Sequence, residues 1–262
     1  MDITYFSIIL FLIITIIYFI FPAIGKIPPE TVDQITDNTQ GSTDFQYTNY
    51  IRLGVYFMGI LISQFIVNAV YIVNYCGGNN SSNYGSAFLI TFVPWIFIFG
   101  IMLLTLLMFP GFKSAFSDII GYFIVANTAN SVLNKILFEE KVNHIIATST
   151  ETDNIDAMKK TAENIMKLYS NKAIIINQIV PENFVKTWET LKPLMREGVA
   201  DNVVLQKELL DVVVLRDNIG EAVWYIYTAL VVISIVSYKI ASRDCQVAVF
   251  DVAKQAKNTE NN

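Results

Sequence analysis

Few side chains in this chain are of a type to do chemistry, and their spacing decides against most of it. His144 is the single histidine. A histidine titrates near neutral pH and can serve as base or metal ligand, but a metal site needs further His, Cys or carboxylate ligands at ligand spacing. Asn143 and Ile145 flank His144 and no such set surrounds it, so it reads as an ordinary side chain. The sequence contains no glycine-rich phosphate loop, no HExxH helix and no Gly-x-Ser-x-Gly elbow. The expectation is a protein that is not an enzyme, with no catalytic or metal-binding residue and no cofactor.

Cys76 and Cys245 are the two cysteines. Each follows the end of an apolar block, and an even number of crossings between them puts both on one membrane side, which makes a disulfide geometrically allowed. Two lone cysteines are more often unpaired, and free thiols are the expectation. Asn79-Asn80-Ser81 and Asn80-Ser81-Ser82 fit the glycosylation pattern. An Asn/Ser-rich turn so close to a bilayer produces that pattern by composition. Gln64 and Asn68 lie one helical turn apart, beside the small pair Gly59 and Ser63. Small residues permit close helix approach, and buried amides bond across helices at about 1 kcal/mol, so helix packing is the expectation and a pore lining the alternative.

The elements that must position these residues are set by the membrane. No charged residue occurs in the 60 positions from Leu53 to Phe112. That stretch holds two apolar blocks, and a bilayer core of about 30 Å is crossed by roughly 20 apolar residues. Charged residues make up 16% of the chain and apolar residues 53%, against about 25% charged in an ordinary soluble domain. The fold class is therefore an all-α integral membrane protein with four transmembrane helices, an interfacial amphipathic helix and a small helical extramembrane domain. The chain divides into a first transmembrane helix (1–24), a polar loop (25–50), a second (51–75) and third (87–109) transmembrane helix, an elbow with an interfacial helix (110–138), the extramembrane domain (139–220), a fourth transmembrane helix (221–241) and a polar tail (242–262). The first block lacks a basic flank and is followed by a poor cleavage site, Phe21-Pro22-Ala23-Ile24-Gly25, so it reads as a retained anchor. Pro94 should kink the third span.

Between 110 and 138, Asn127, Asn130 and Asn134 share one helical face, opposite most of Ile124, Val125, Val132, Leu133, Ile136 and Leu137. That pattern suits a helix lying in the interface. In the extramembrane region, Ile155, Met158, Ala162, Ile165 and Tyr169 recur at helical spacing, as do Phe184, Trp188, Leu191 and Met195. Ala173–Val180 fits helix or strand. A third helix from Ala200 to Arg216 leads to span four, with Gly220 as the joint. The net charge of −5 argues against nucleic acid as a partner. Lys26, Arg52, Lys113 and Lys135 mark one membrane side and Lys239, Arg243, Lys254 and Lys257 the other, so basic residues give no clear orientation.

The segment Phe109-Pro110-Gly111-Phe112-Lys113-Ser114-Ala115-Phe116-Ser117-Asp118-Ile119-Ile120-Gly121-Tyr122 resembles a pattern in membrane proteins of nucleocytoplasmic large DNA viruses, in which a Pro-Gly-aromatic step leads to Phe-Ser-Asn and a Gly-aromatic pair. Pro110, Gly111, Phe112, Phe116, Ser117, Gly121 and Tyr122 match, while Asp118 stands where Asn is more usual and Phe112 where Trp is. The resemblance implies a minor capsid or inner-membrane virion protein whose partners are the bilayer and other capsid or membrane virion proteins, with homo-oligomers as a further expectation. The residues alone predict that Pro110 and Gly111 end span three and that Ser117 or Asp118 caps the next helix. Trp188 is the residue best suited to anchor a partner, with core packing as its plainer role. An oligomeric channel or transporter, or an accessory subunit of a membrane enzyme, is the alternative.

Overall fold

The computed structural model describes residues 3–36, 40–76, 81–137, 172–243 and Cys245. His144, the pattern from Ile155 to Tyr169, Asn79 and Asn80, and the tail from Gln246 lie outside them. Every regular element among the described residues is helical. The main ones are α1 (Ile3–Ile20), α2 (Gln40–Cys76), α3 (Ser81–Met108), α4 (Tyr122–Ile136), α5 (Lys172–Gln178), α6 (Phe184–Leu191) and α7 (Val203–Ala241). Of these, α1, α2, α3 and α7 are long and apolar enough to cross a membrane. The protein is an all-α membrane protein.

Several boundaries move. Residues 40–50 belong to α2, not to a polar loop: they contain no proline to stop the helix, and they find work on it. Asn49 accepts from the Ile27 N–H at 2.9 Å and donates to the Ile27 carbonyl at 3.2 Å. Arg52 donates to the Gly25 carbonyl at 2.8 Å and to that of Pro22, holding the turn that follows α1. In α3, Pro94 is followed by a π turn over Trp95–Gly100, the local rewinding that absorbs a missing backbone donor. Gly220 is no joint, because α7 runs unbroken through it. Ala173–Val180 resolves as helix over its first part, in α5.

The described residues form two compact units. The first comprises the described residues of Met1–Ile20, Leu53–Thr105 and Tyr225–Asn262. Its core is aromatic: Phe11 packs on Trp95 and edge-on to Phe99, and Tyr56 stacks between Tyr18 and Tyr225. Several polar groups inside it are hydrogen-bonded between helices. The Thr15 and Tyr56 hydroxyls lie 2.8 Å apart, Gln64 Nε2 donates to the Ser7 carbonyl at 3.1 Å, and Asn68 Nδ2 donates to Thr91 Oγ1 at 2.9 Å. Large apolar side chains such as Ile13, Val55, Ile62, Phe97 and Leu104 are exposed, as expected of helices whose outer solvent is lipid. Cys76 and Cys245 form a disulfide with Cα atoms 5.0 Å apart, which corrects the expectation of free thiols. The sequence shows only that both residues follow span ends, not that those ends come together.

The second unit comprises the described residues of Phe21–Arg52 and Leu106–Trp224. Its core joins Val125, Ala129, Leu133 and Ile136 of α4 to Ile176, Phe184, Trp188 and the start of α7, including Leu209, Leu210 and Val213. The extramembrane core therefore reaches well outside 139–220. Leu137 bridges Met195, Arg196 N–H donates to the Ile136 carbonyl at 3.0 Å, and Gly198 turns the chain at φ 76°. Asn202 then opens α7 by accepting from the N–H groups of Val204 and Leu205, a side-chain N-cap.

Much of the apolar stripe of α4 is turned inward: Val125, Val132, Leu133 and Ile136 are buried against the chain's own helices. Asn127 and Asn134 are exposed and Asn130 is half-buried. A second apolar strip remains outside, because Ile119, Ile120, Phe123 and Ile124 are 72%, 38%, 83% and 58% exposed.

Candidate functional site

Among the described residues, the densest assembly of ionisable groups lies within the second unit, where the elbow meets residues 216–224 of α7. Lys113 Nζ sits 3.0 Å from Asp217 Oδ2 and 3.4 Å from Glu221 Oε2, and Lys26 Nζ reaches the same Glu221 oxygen at 2.7 Å. Arg216, wholly buried, lies 3.9 Å from Asp118 Oδ1. Its guanidinium also donates to the Ile176 carbonyl and, at 2.8 Å, to that of Ile179. The Ile176 carbonyl, which also accepts from the Ile179 N–H at 3.3 Å, and the Ile179 carbonyl lie at the C-terminal end of α5, so Arg216 acts as a C-terminal cap. Asn177 Nδ2 donates to the Asp118 carbonyl at 3.1 Å, tying α5 to the elbow.

The network sets three cations, Lys26, Lys113 and Arg216, against three carboxylates, Asp118, Asp217 and Glu221. Burial alone would lower the pKa of Lys113, but the carboxylates of Glu221, Asp217 and Glu182 outweigh it and hold the value above that of an ordinary lysine. Lys113 is therefore charged at every physiological pH. A lysine held so firmly protonated is a poor base, because general base work requires a pKa near the working pH.

The elbow is shaped to reach this network. Pro110 starts a 3-10 turn, Pro110–Lys113, at the position where a missing N–H costs nothing. A short helix, Ser114–Phe116, leads into a π turn, Ser117–Gly121, and directly into α4. Neither Ser117 nor Asp118 caps α4, which corrects that expectation: the π turn makes the backbone continuous, so no helix start exists there to cap. Both are used elsewhere, Asp118 toward Arg216 and Ser117 in a buried contact with Gly220.

Two glycines allow the approach. A Cβ on Gly121 would lie 2.6 Å from the Arg216 carbonyl oxygen, and one on Gly220 would lie 2.7 Å from Ser117 Cβ and 2.9 Å from the Lys113 carbonyl oxygen. The joint is closed by Trp224, whose Nε1 donates to the Phe112 carbonyl at 2.9 Å and whose ring meets Phe116 edge-on at 4.9 Å. Tyr122 packs against the apolar core, while Gly111 and Phe112 stay exposed.

The other residues singled out in the sequence fall apart from this site. Gln64 and Asn68 lie in the first unit, each bonded across helices. Gly59 is not a close-packing position, because a Cβ there would meet nothing within 4 Å; Ser63 bonds its own helix at the Ile60 carbonyl. Trp188 is core: it is buried, it stacks with Phe184, and its Nε1 donates to the Ala200 carbonyl at 3.2 Å, which removes it as an exposed anchor. Among the described residues no group of three or more His, Cys, Asp or Glu gathers at metal-binding distance. Sequence reasoning missed Lys26, Arg216, Asp217 and Glu221. The available signal was the spacing Arg216-Asp217-Glu221, three charges at the threshold of an apolar span.

No family model matches the chain, and no curated protein or solved structure is similar to it.

Proposed function

We propose that this chain is a structural membrane protein of a large DNA virus particle, anchored in the internal membrane by four spans and meeting the overlying capsid through its extramembrane helices. The observation that carries this reading is what the elbow does. Pro110, Ser117, Gly121 and Trp224 are each accounted for by a mechanical join, and the nearby charges are spent on pairing with one another. That segment is also the one that resembles the virion family. A joint that clamps an extramembrane helix to the start of a span suits a protein that transmits load between a membrane and a shell.

A channel reading loses its best residues, since Gln64 and Asn68 are both committed to interhelical hydrogen bonds. The test is composition of purified particles. The protein should co-purify with them, survive washing at high salt and leave only with detergent that dissolves the internal membrane. Absence from particles, or release without detergent, overturns the proposal.

A further inference from the structure

The disulfide gives the protein a membrane orientation, which the basic residues leave undecided. Cys76 ends α2 and Cys245 follows α7, and both carry sulfur atoms bonded to each other. Each membrane-crossing helix reverses side, so the residues around Cys76 and Cys245 share one membrane face. With four crossings, the turn between α1 and α2, with Lys26, and the described residues between α3 and α7 fall on the opposite face. Protein disulfides form and persist in oxidising compartments and are rare where glutathione and thioredoxin keep thiols reduced.

We infer that the Cys76–Cys245 face is turned to an oxidising, lumenal or extracytoplasmic compartment, and that the helices between α3 and α7 face the cytosol. Basic residues near the span ends are compatible with this. Lys26, Arg52 and Lys113 lie on the cytosolic side, and the α2–α3 turn from Cys76 to Asn83 carries no charge at all. Lys239 and Arg243 oppose them, and Arg243 is engaged locally, with Nη2 3.4 Å from Asn83 Oδ1. The disulfide breaks that tie. The inference does not rest on the virion reading, although a shell protein made in the cytosol would meet this side.

The test uses the full chain in sealed microsomes. With both native cysteines bonded, Lys186→Cys supplies the sole free thiol at an exposed position of α6. A membrane-impermeant maleimide should modify that variant without detergent, at least tenfold faster than it modifies the wild type. Protease should spare a tag fused after Asn262 until detergent is added. In denatured wild-type protein both native cysteines should react only after reduction. Cleavage of the tag in sealed vesicles, protection of Lys186→Cys, or free native thiols each overturn the orientation. The tag experiment on the wild-type chain stands even if Lys186→Cys fails to fold. Loss from virus particles would sink the virion reading while leaving these readouts unchanged.

Discussion

Lys113 shows how one residue can be costly alone and stabilising in company. Removing one partner from a buried ion pair costs about 3–5 kcal/mol because the opposite charge is stranded. Lys113→Met strands Asp217 and Glu221 together, so a loss of that order is expected in thermal unfolding in detergent, whereas Lys186→Met on the exposed face of α6 should change little. The pH dependence has a definite sign. The folded-state pKa is raised, so the stabilisation is fully present below the ordinary value of 10.5 and is lost only as pH climbs through the higher folded value. The gap between wild type and Lys113→Met should therefore stay flat from about pH 7 to about pH 10 on the lysine side of the linkage; a gap that closes below pH 9 would contradict the assignment. None of this was legible residue by residue. Lys26, Lys113 and Glu221 are ordinary surface types in the sequence, and only the fold brings them within 2.7 to 3.4 Å.

At the scale of elements, the sequence was informative wherever the membrane dictated the answer and silent wherever two helices meet. Apolar runs located all four spanning helices, because desolvation of the backbone in lipid leaves little choice. Helix ends were misjudged at Gln40 and Gly220 because a polar N-terminal turn and a glycine in a helix are both tolerated when tertiary contacts reward them. The two glycines at the elbow are needed for approach, not for flexibility. Gly121→Ala and Gly220→Ala should each destabilise the protein by about 1–3 kcal/mol through overpacking, while Gly54→Ala, which meets nothing within 4 Å, serves as a near-neutral control. Equal melting temperatures for all three variants would refute the close contact. The outward strip Ile119, Ile120, Phe123 and Ile124 belongs to the same elbow and follows closely on the end of α3. A nitroxide at Phe123→Cys in lipid nanodiscs should be reached by oxygen in preference to a water-soluble nickel relaxant, whereas one at Asn134→Cys should show the reverse.

At the scale of the chain, covalent and ionic closures both bridge long stretches of sequence. Reduction of Cys76–Cys245 removes a cross-link that typically contributes about 2–4 kcal/mol, so reductant should lower the melting temperature of the wild type and leave Cys76→Ser unaffected. The ionic closures have a different consequence, one that concerns birth more than stability. Glu221 lies 195 residues after Lys26, and Asp217 lies 104 residues after Lys113. A ribosome adding about 5–20 residues per second exposes Lys113 for roughly 5–20 s before its counter-charge is made. Through that interval the nascent protein carries Lys113 beside the spans already inserted, and the carboxylates of Asp217 and Glu221 reach it only when the last helix is made. A chain cut short before Asp217 would leave Lys113 without the α7 carboxylates that offset its burial, a ready mark by which membrane quality control can tell an unfinished copy from a finished one.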